Sequence, residues 1–136
     1  MTLDEHYLVP PISVLDVKQK RWKERRKYWL NLGIESELGR EDNLLGLSEL
    51  MSKKQNQTSI FDPVLCEIMY TWFTKEGDSI LDPFAGGSVR GIVASHCQRN
   101  YTGLDLSKKQ IEHNYQQAQD LCQSHFPTWI HDDAMN

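Results

Sequence analysis

From Ser79 to Asp105 the order of residues leaves little freedom of fold. A short apolar run ends in an acid, two glycines follow, then a helical stretch, then a second apolar run that also ends in an acid. Ser79-Ile80-Leu81-Asp82 predicts a short buried strand and Ala85-Gly86-Gly87 a glycine loop. Val89 to about His96 predicts a helix, and Tyr101-Thr102-Gly103-Leu104-Asp105 a second strand. Strand, helix, strand at this spacing is the parallel crossover unit of an α/β sheet.

The flanks extend the same pattern. Upstream, Asp62-Pro63 is an N-cap and first-turn pair. Val64, Leu65, Ile68, Met69, Trp72 and Phe73 then recur at helical spacing, which predicts a wide apolar face on a helix to about Thr74. Downstream, Ser107 with Gln110 has the spacing of a capping box, and Ile111, Tyr115, Ala118 and Leu121 share one helix face. Trp129-Ile130-His131 predicts the start of a third strand. The expected fold is α/β: a partial doubly wound parallel sheet, about half of the full sheet, with a helical basic segment at the N-terminus. One edge of such a half-sheet exposes unpaired backbone and apolar side chains.

That N-terminal segment, residues 1–58, has a different character from residues 59–136. Pro10-Pro11 blocks regular structure, and Ile12 to Leu15 fits one short extended piece. Asp16 is placed to cap a helix reaching about Leu32, which Gly33 ends. Glu35 to Ser59 mixes polar residues with an apolar patch, Leu44-Leu45-Gly46-Leu47, and closes from Ser52 to Thr58 in what reads as an exposed linker or mobile loop.

Charge is concentrated in this segment. The formal net charge is −4, yet Val17 to Leu30 holds seven bases and one acid, giving +6 there and −10 elsewhere. Lys18, Lys20, Arg21, Lys23, Arg25 and Arg26 are the expected phosphate-contacting residues. The competing reading is a solvated helix in which Trp22 and Trp29, seven apart, form a buried stripe. Cys66, Cys97 and Cys122 are odd in number, widely spaced and without a Cys-x-x-Cys pair, which predicts reduced thiols, Cys66 and Cys97 as small core residues, and not a disulfide framework or zinc ribbon. His96, His113, His125 and His131 match no tetrahedral ligand spacing, so no metal site is expected. No run reaches the roughly 18 uncharged apolar residues of a membrane span, and Met1 to Glu5 lacks a signal peptide's basic start.

In a doubly wound sheet a ligand binds beyond the carboxyl ends of the strands. There a glycine turn lets backbone approach it, and an acid about 20 residues on accepts hydrogen bonds from ribose hydroxyls. Asp105 lies nineteen residues past Gly86. The loop has neither Gly-x-Gly-x-x-Gly spacing nor a following Gly-Lys-Ser/Thr, so dinucleotides and P-loop nucleotides fit less well than another nucleoside cofactor.

Asp82-Pro83-Phe84-Ala85-Gly86 strongly resembles the S-adenosylmethionine-binding motif of amino-methyltransferases acting on adenine N6 or cytosine N4 in DNA. The resemblance runs closely from Thr58 to about Ser107, and the stretches Val9 to Leu15 and Gly33 to Arg40 resemble, more weakly, some phage-encoded members. It implies that residues 59–136 form the S-adenosylmethionine-binding half of a methyltransferase domain. It further implies that Phe61 and Pro63 open a helix beside the methionine moiety and that Asp82 holds the cofactor's amino group. Pro83, Phe84, Ala85, Gly86 and Gly87 would line it, Asp105 would bind the ribose, and Asp133 would sit near the adenine. Where the family usually has Gly-Ser-Gly, this chain has Gly86-Gly87-Ser88.

The family holds the target amine with an Asp/Asn/Ser-Pro-Pro-aromatic loop, and no such sequence occurs in these 136 residues. The chain alone is therefore expected to bind cofactor without turnover. DNA is the expected partner, with a second chain or a C-terminal half supplying the rest, in the cytoplasm of a bacterium or phage-infected cell. The alternative is a non-catalytic module that binds DNA or a partner protein through the 17–30 helix and the open sheet edge.

Overall fold

A computed structural model describes residues 15–35 and 61–136. The expected extended piece before Leu15 and the connection after Glu35 lie outside these residues.

The first helix, α1, spans Lys20–Asn31. It starts later than Asp16 because Asp16 spends its carboxylate on its own turn, accepting from the Lys18 amide at 2.9 Å. Gln19 is the N-cap, with no side-chain cap bond. Gly33 closes the other end in the left-handed region at φ +96°, as expected of a C-terminal glycine. Trp22 and Trp29 form the predicted buried stripe, 4% and 2% exposed. Their burial is worth on the order of 3 kcal/mol each.

Helix α2, Pro63–Phe73, begins as predicted: the Asp62 carboxylate accepts from the Val64 amide, and Pro63 occupies the first turn. Only part of its apolar set is covered. Val64, Cys66 and Ile68 are buried, whereas Met69 and Phe73 face solvent, because α2 packs between α1 and one further helix and nothing among the described residues covers its remaining side.

The sheet consists of β1 (Ser79–Asp82), β2 (Asn100–Asp105) and β3 (Thr128–His131), in that spatial order and all parallel. Helix α3 (Val89–His96) connects β1 to β2, and α4 (Lys108–Leu121) connects β2 to β3. Ser107 caps α4 by accepting from the Gln110 amide at 3.3 Å, but the reciprocal half of the box is missing. Asp105 takes the Ser107 amide instead, and the Gln110 side chain turns inward to Asn114.

Register sets the two faces of the sheet. Ile80 pairs with Tyr101, Asp82 with Gly103 and Gly103 with Trp129, so these share the face under α3 and α4. Space there is tight: a Cβ on Gly91 of α3 would stand 2.5 Å from the Trp129 ring. The opposite face carries Leu81, Thr102, Leu104 and Ile130. Leu81 is 71% exposed, so the strand expected to be buried is buried on one side only. Arg99, itself buried, fastens the sheet to α2 by donating to the Thr74 hydroxyl and carbonyl at 2.9 Å each.

Candidate functional site

Because the strands are parallel, Asp82, Asp105 and His131 all end at the same edge, and the glycine loop crosses it. The loop folds back over β2, where the Ala85 amide donates to the Leu104 carbonyl at 2.8 Å. Gly103 makes this possible: a Cβ there would sit 2.7 Å from the Ala85 Cβ, too close for either to stay. Gly86 then takes φ +57°, and its amide donates to Asp105 Oδ2 at 2.9 Å. The acid and the glycine that sequence spacing paired at a distance of nineteen residues therefore touch.

Asp82 sits under the loop, 8% exposed. Its Oδ2 accepts from the Tyr101 hydroxyl at 2.7 Å and from Arg90 Nε at 2.9 Å. Its Oδ1 accepts from the Phe84 amide at 3.2 Å, so the carboxylate also shapes its own turn. Burial first, and the bond to Asp82 second, push the Tyr101 phenol above its ordinary range and keep it a donor.

Sequence reasoning missed a set of amides beneath the loop. Asn114, 1% exposed, donates to the Gly86 carbonyl at 2.8 Å and is itself held by Gln110 at 2.9 Å. Ser88, also 1% exposed, donates its hydroxyl to Gln117 at 2.7 Å. Gln117 accepts the Glu35 amide on the same oxygen. The serine that departs from the Gly-Ser-Gly pattern thus points down into α4 and anchors the loop. The available signal was three amides at positions 110, 114 and 117, which fall on one face of a helix.

The remaining expected residues are dispersed around this centre. Pro83 and Phe84 are exposed at the lip, with Phe84 68% exposed, while Ala85 is buried and Gly86 and Gly87 are half-buried. Phe61 reaches the loop through Arg90, whose guanidinium carbon lies 5.0 Å from the ring centre. Pro63 is buried one position past the Asp62 cap. Asp133 follows β3 at the same edge, and its carboxylate accepts from the Met135 amide at 2.9 Å, its own turn.

Free acceptor capacity decides what such a site can hold. Each carboxylate oxygen accepts about two donors. Asp105 has one on each oxygen, Gly86 on Oδ2 and Ser107 on Oδ1, which leaves one further position on each for a vicinal diol. Asp82 has both positions on Oδ2 filled and one left on Oδ1, enough for one ammonium proton. The open acceptor positions suit a ligand that carries a vicinal diol and an ammonium group.

Lys20, Arg21, Lys23 and Arg26 on α1 are exposed, as is Lys18 in the turn before it. Arg25 is turned inward, paired with Glu67 of α2 at 2.5 Å, and Glu67 also accepts from the Trp29 indole at 2.9 Å. Burial pushes the Cys97 thiol up to about 11, and it raises Cys66 and Cys122 as well, as expected of core thiols. No His/Cys/Asp/Glu cluster among the described residues could hold a metal, and no described helix is long and apolar enough to cross a membrane.

A three-stranded parallel sheet with connecting helices, a glycine loop and an acid at the next strand's end is a partial fold of the Rossmann-like class. Residues 4–117 match the DNA methylase family of the N6/N4 type, and the chain belongs to that family. It is similar to the type II methyltransferase M2.DpnII of Streptococcus pneumoniae, with 46% identity over 39 residues, 29% of this chain and 15% of that protein. It resembles the type II methyltransferase M2.LlaDCHI of Lactococcus lactis subsp. cremoris at 44% over 39 residues, 29% of this chain and 14% of that protein. The type II methyltransferase M.HpaI of Haemophilus parainfluenzae matches at 40% over 48 residues, 35% of this chain and 15% of that protein. The matched stretches are therefore a small part of each relative's length. No solved structure matches the chain.

Proposed function

We propose that this chain is the S-adenosylmethionine-binding part of a DNA methyltransferase that modifies adenine N6 or cytosine N4. The observation that carries the reading is the bond from Gly86 to Asp105, which puts a diol-accepting carboxylate directly against a glycine turn. When bound, the cofactor supplies a sulfonium methyl group to an exocyclic base amine. The chain's own share is positional: Asp105 takes the ribose hydroxyls, Asp82 Oδ1 takes the ammonium group, and Phe61 and Phe84 give apolar walls. Asp133 lies at the same strand edge and is assigned to the adenine. Orientation and preformed electrostatics are sufficient for a direct transfer of this kind.

The amine-holding loop is not among these 136 residues, and we assign that task to a further segment, of the same protein or of a second chain. The exposed bases Lys18, just before α1, and Lys20, Arg21, Lys23 and Arg26 on it are assigned to DNA phosphates, while Arg25 serves the α1–α2 contact. With DNA as substrate, the place of action is the cytoplasm of a bacterial or phage-infected cell. Calorimetric titration with S-adenosylmethionine tests the cofactor site. Asp105→Ala is expected to weaken binding by roughly 10–100-fold, the value of charged hydrogen bonds lost. Unchanged binding would sink the ribose assignment.

A second reading keeps the same surfaces without catalysis: a methyltransferase-like module that binds DNA through α1 or a partner through the open sheet edge. The exposed bases and bare Leu81 favour it. Gel shifts over a salt series bear on the phosphate contacts in both readings, with affinity expected to fall steadily as salt rises. Binding that ignores salt would remove α1 from the DNA interface.

A further inference from the structure

We infer that Arg90 is the positioning residue of the cofactor loop, a role that rests on the cofactor reading above. It is the second residue of α3, and its guanidinium reaches back over the turn that precedes the helix. Nε pairs with Asp82 Oδ2 at 2.9 Å. Nη2 donates to the Phe84 carbonyl at 2.5 Å and to the Ala85 carbonyl at 2.7 Å. The same group lies over the Phe61 ring. One side chain, 28% exposed, thus ties four residues from two separate stretches of sequence into one arrangement.

The geometry sets the ligand-facing chemistry in two ways. Arg90 and Tyr101 together fill Asp82 Oδ2, which leaves Oδ1 as the oxygen that meets a ligand. The Phe84 and Ala85 carbonyls both accept from the guanidinium, so the turn is held at these two residues in addition to the Gly86–Asp105 bond. A planar, forked donor is needed to serve a carboxylate and two carbonyls while stacking on a ring; an ammonium offers a point charge without that fork.

The test uses the intact protein with Arg90→Met, which keeps the stem and removes the fork, and Arg90→Lys, which keeps the charge. Three quantities are measured: the S-adenosylmethionine dissociation constant, the melting temperature, and hydrogen exchange at the Phe84, Ala85 and Gly86 amides of the ligand-free protein. Arg90→Met is expected to weaken binding at least about tenfold and to speed exchange at those three amides by a similar factor, while α4 amides keep their protection. Arg90→Lys is expected to recover only a minor part of the lost affinity. Binding within about twofold of the parent protein, or exchange that rises uniformly across the chain, overturns the proposal. If the parent protein itself does not bind S-adenosylmethionine, the cofactor reading fails; selective exchange at the three loop amides then still supports the clamp, and unchanged exchange there overturns it. Should Arg90→Met fail to fold, Arg90→Lys decides: weaker binding with faster loop exchange supports the role, and parental values of both overturn it.

Discussion

The two faces of the sheet are built to opposite standards. Under α3 and α4 the packing is close: a Cβ on Gly91 or Gly103 would stand 2.5 or 2.7 Å from its nearest neighbour, and Tyr101 and Trp129 meet edge to face with ring centres 5.9 Å apart. The other face shows Leu81 71% exposed and Ile130 43% exposed. The tight face is also where Asp82, Gly103 and Asp105 lie, so the site inherits the precision of the core beneath it. The open face carries no residue assigned to the proposed cofactor site.

The contrast predicts unequal responses to small changes. Gly103→Ala is expected to have the larger effect. Its new methyl would meet Ala85 at 2.7 Å and Tyr101 at 2.9 Å, and neither neighbour is the far end of a flexible chain. A loss of about 2–3 kcal/mol is expected, read by denaturant or thermal melting, together with weaker cofactor binding as the loop lifts off Leu104. A variant as stable as the parent would show that the tight face yields. On the open face, Leu81→Thr is expected to change stability by less than about 0.5 kcal/mol, because Thr suits a strand and the site is exposed. A much larger loss would mean that something covers Leu81 in solution. Light scattering on the same variant checks whether that leucine promotes self-association.

The difference between faces also explains what the sequence disclosed. The strand, loop, helix and second strand were legible because hydrophobic period and glycine placement are local signals, and Asp105 followed from spacing alone. Asp62-Pro63 announced α2 for the same reason: cap and first turn are adjacent. The exposure of Leu81, Met69 and Phe73 was not legible, since an apolar residue looks the same whether or not a neighbouring layer arrives to cover it. Nor was the supporting set around the loop. Asn114 meets Gly86 across 28 positions and Ser88 meets Gln117 across 29, contacts that exist only once α4 is laid along the sheet. Arg90 was overlooked because a base near the start of a helix reads as solvent-facing until its carbonyl partners are in place. Arg25 misled in the opposite sense. Counted among seven bases it looks like part of a cationic surface, yet its partner Glu67 lies 42 residues away.

Asp62 has a consequence beyond its capping role. One of its oxygens receives the Val64 amide at the head of α2, and the other receives the Trp22 indole of α1 at 2.9 Å. Beside the Arg25–Glu67 and Trp29–Glu67 contacts, the two helices are thus joined a second time, immediately next to Phe61. Removing that carboxylate would unseat the tryptophan and fray the start of α2 in one event, so the cationic helix and the ring that Arg90 steadies are mechanically joined.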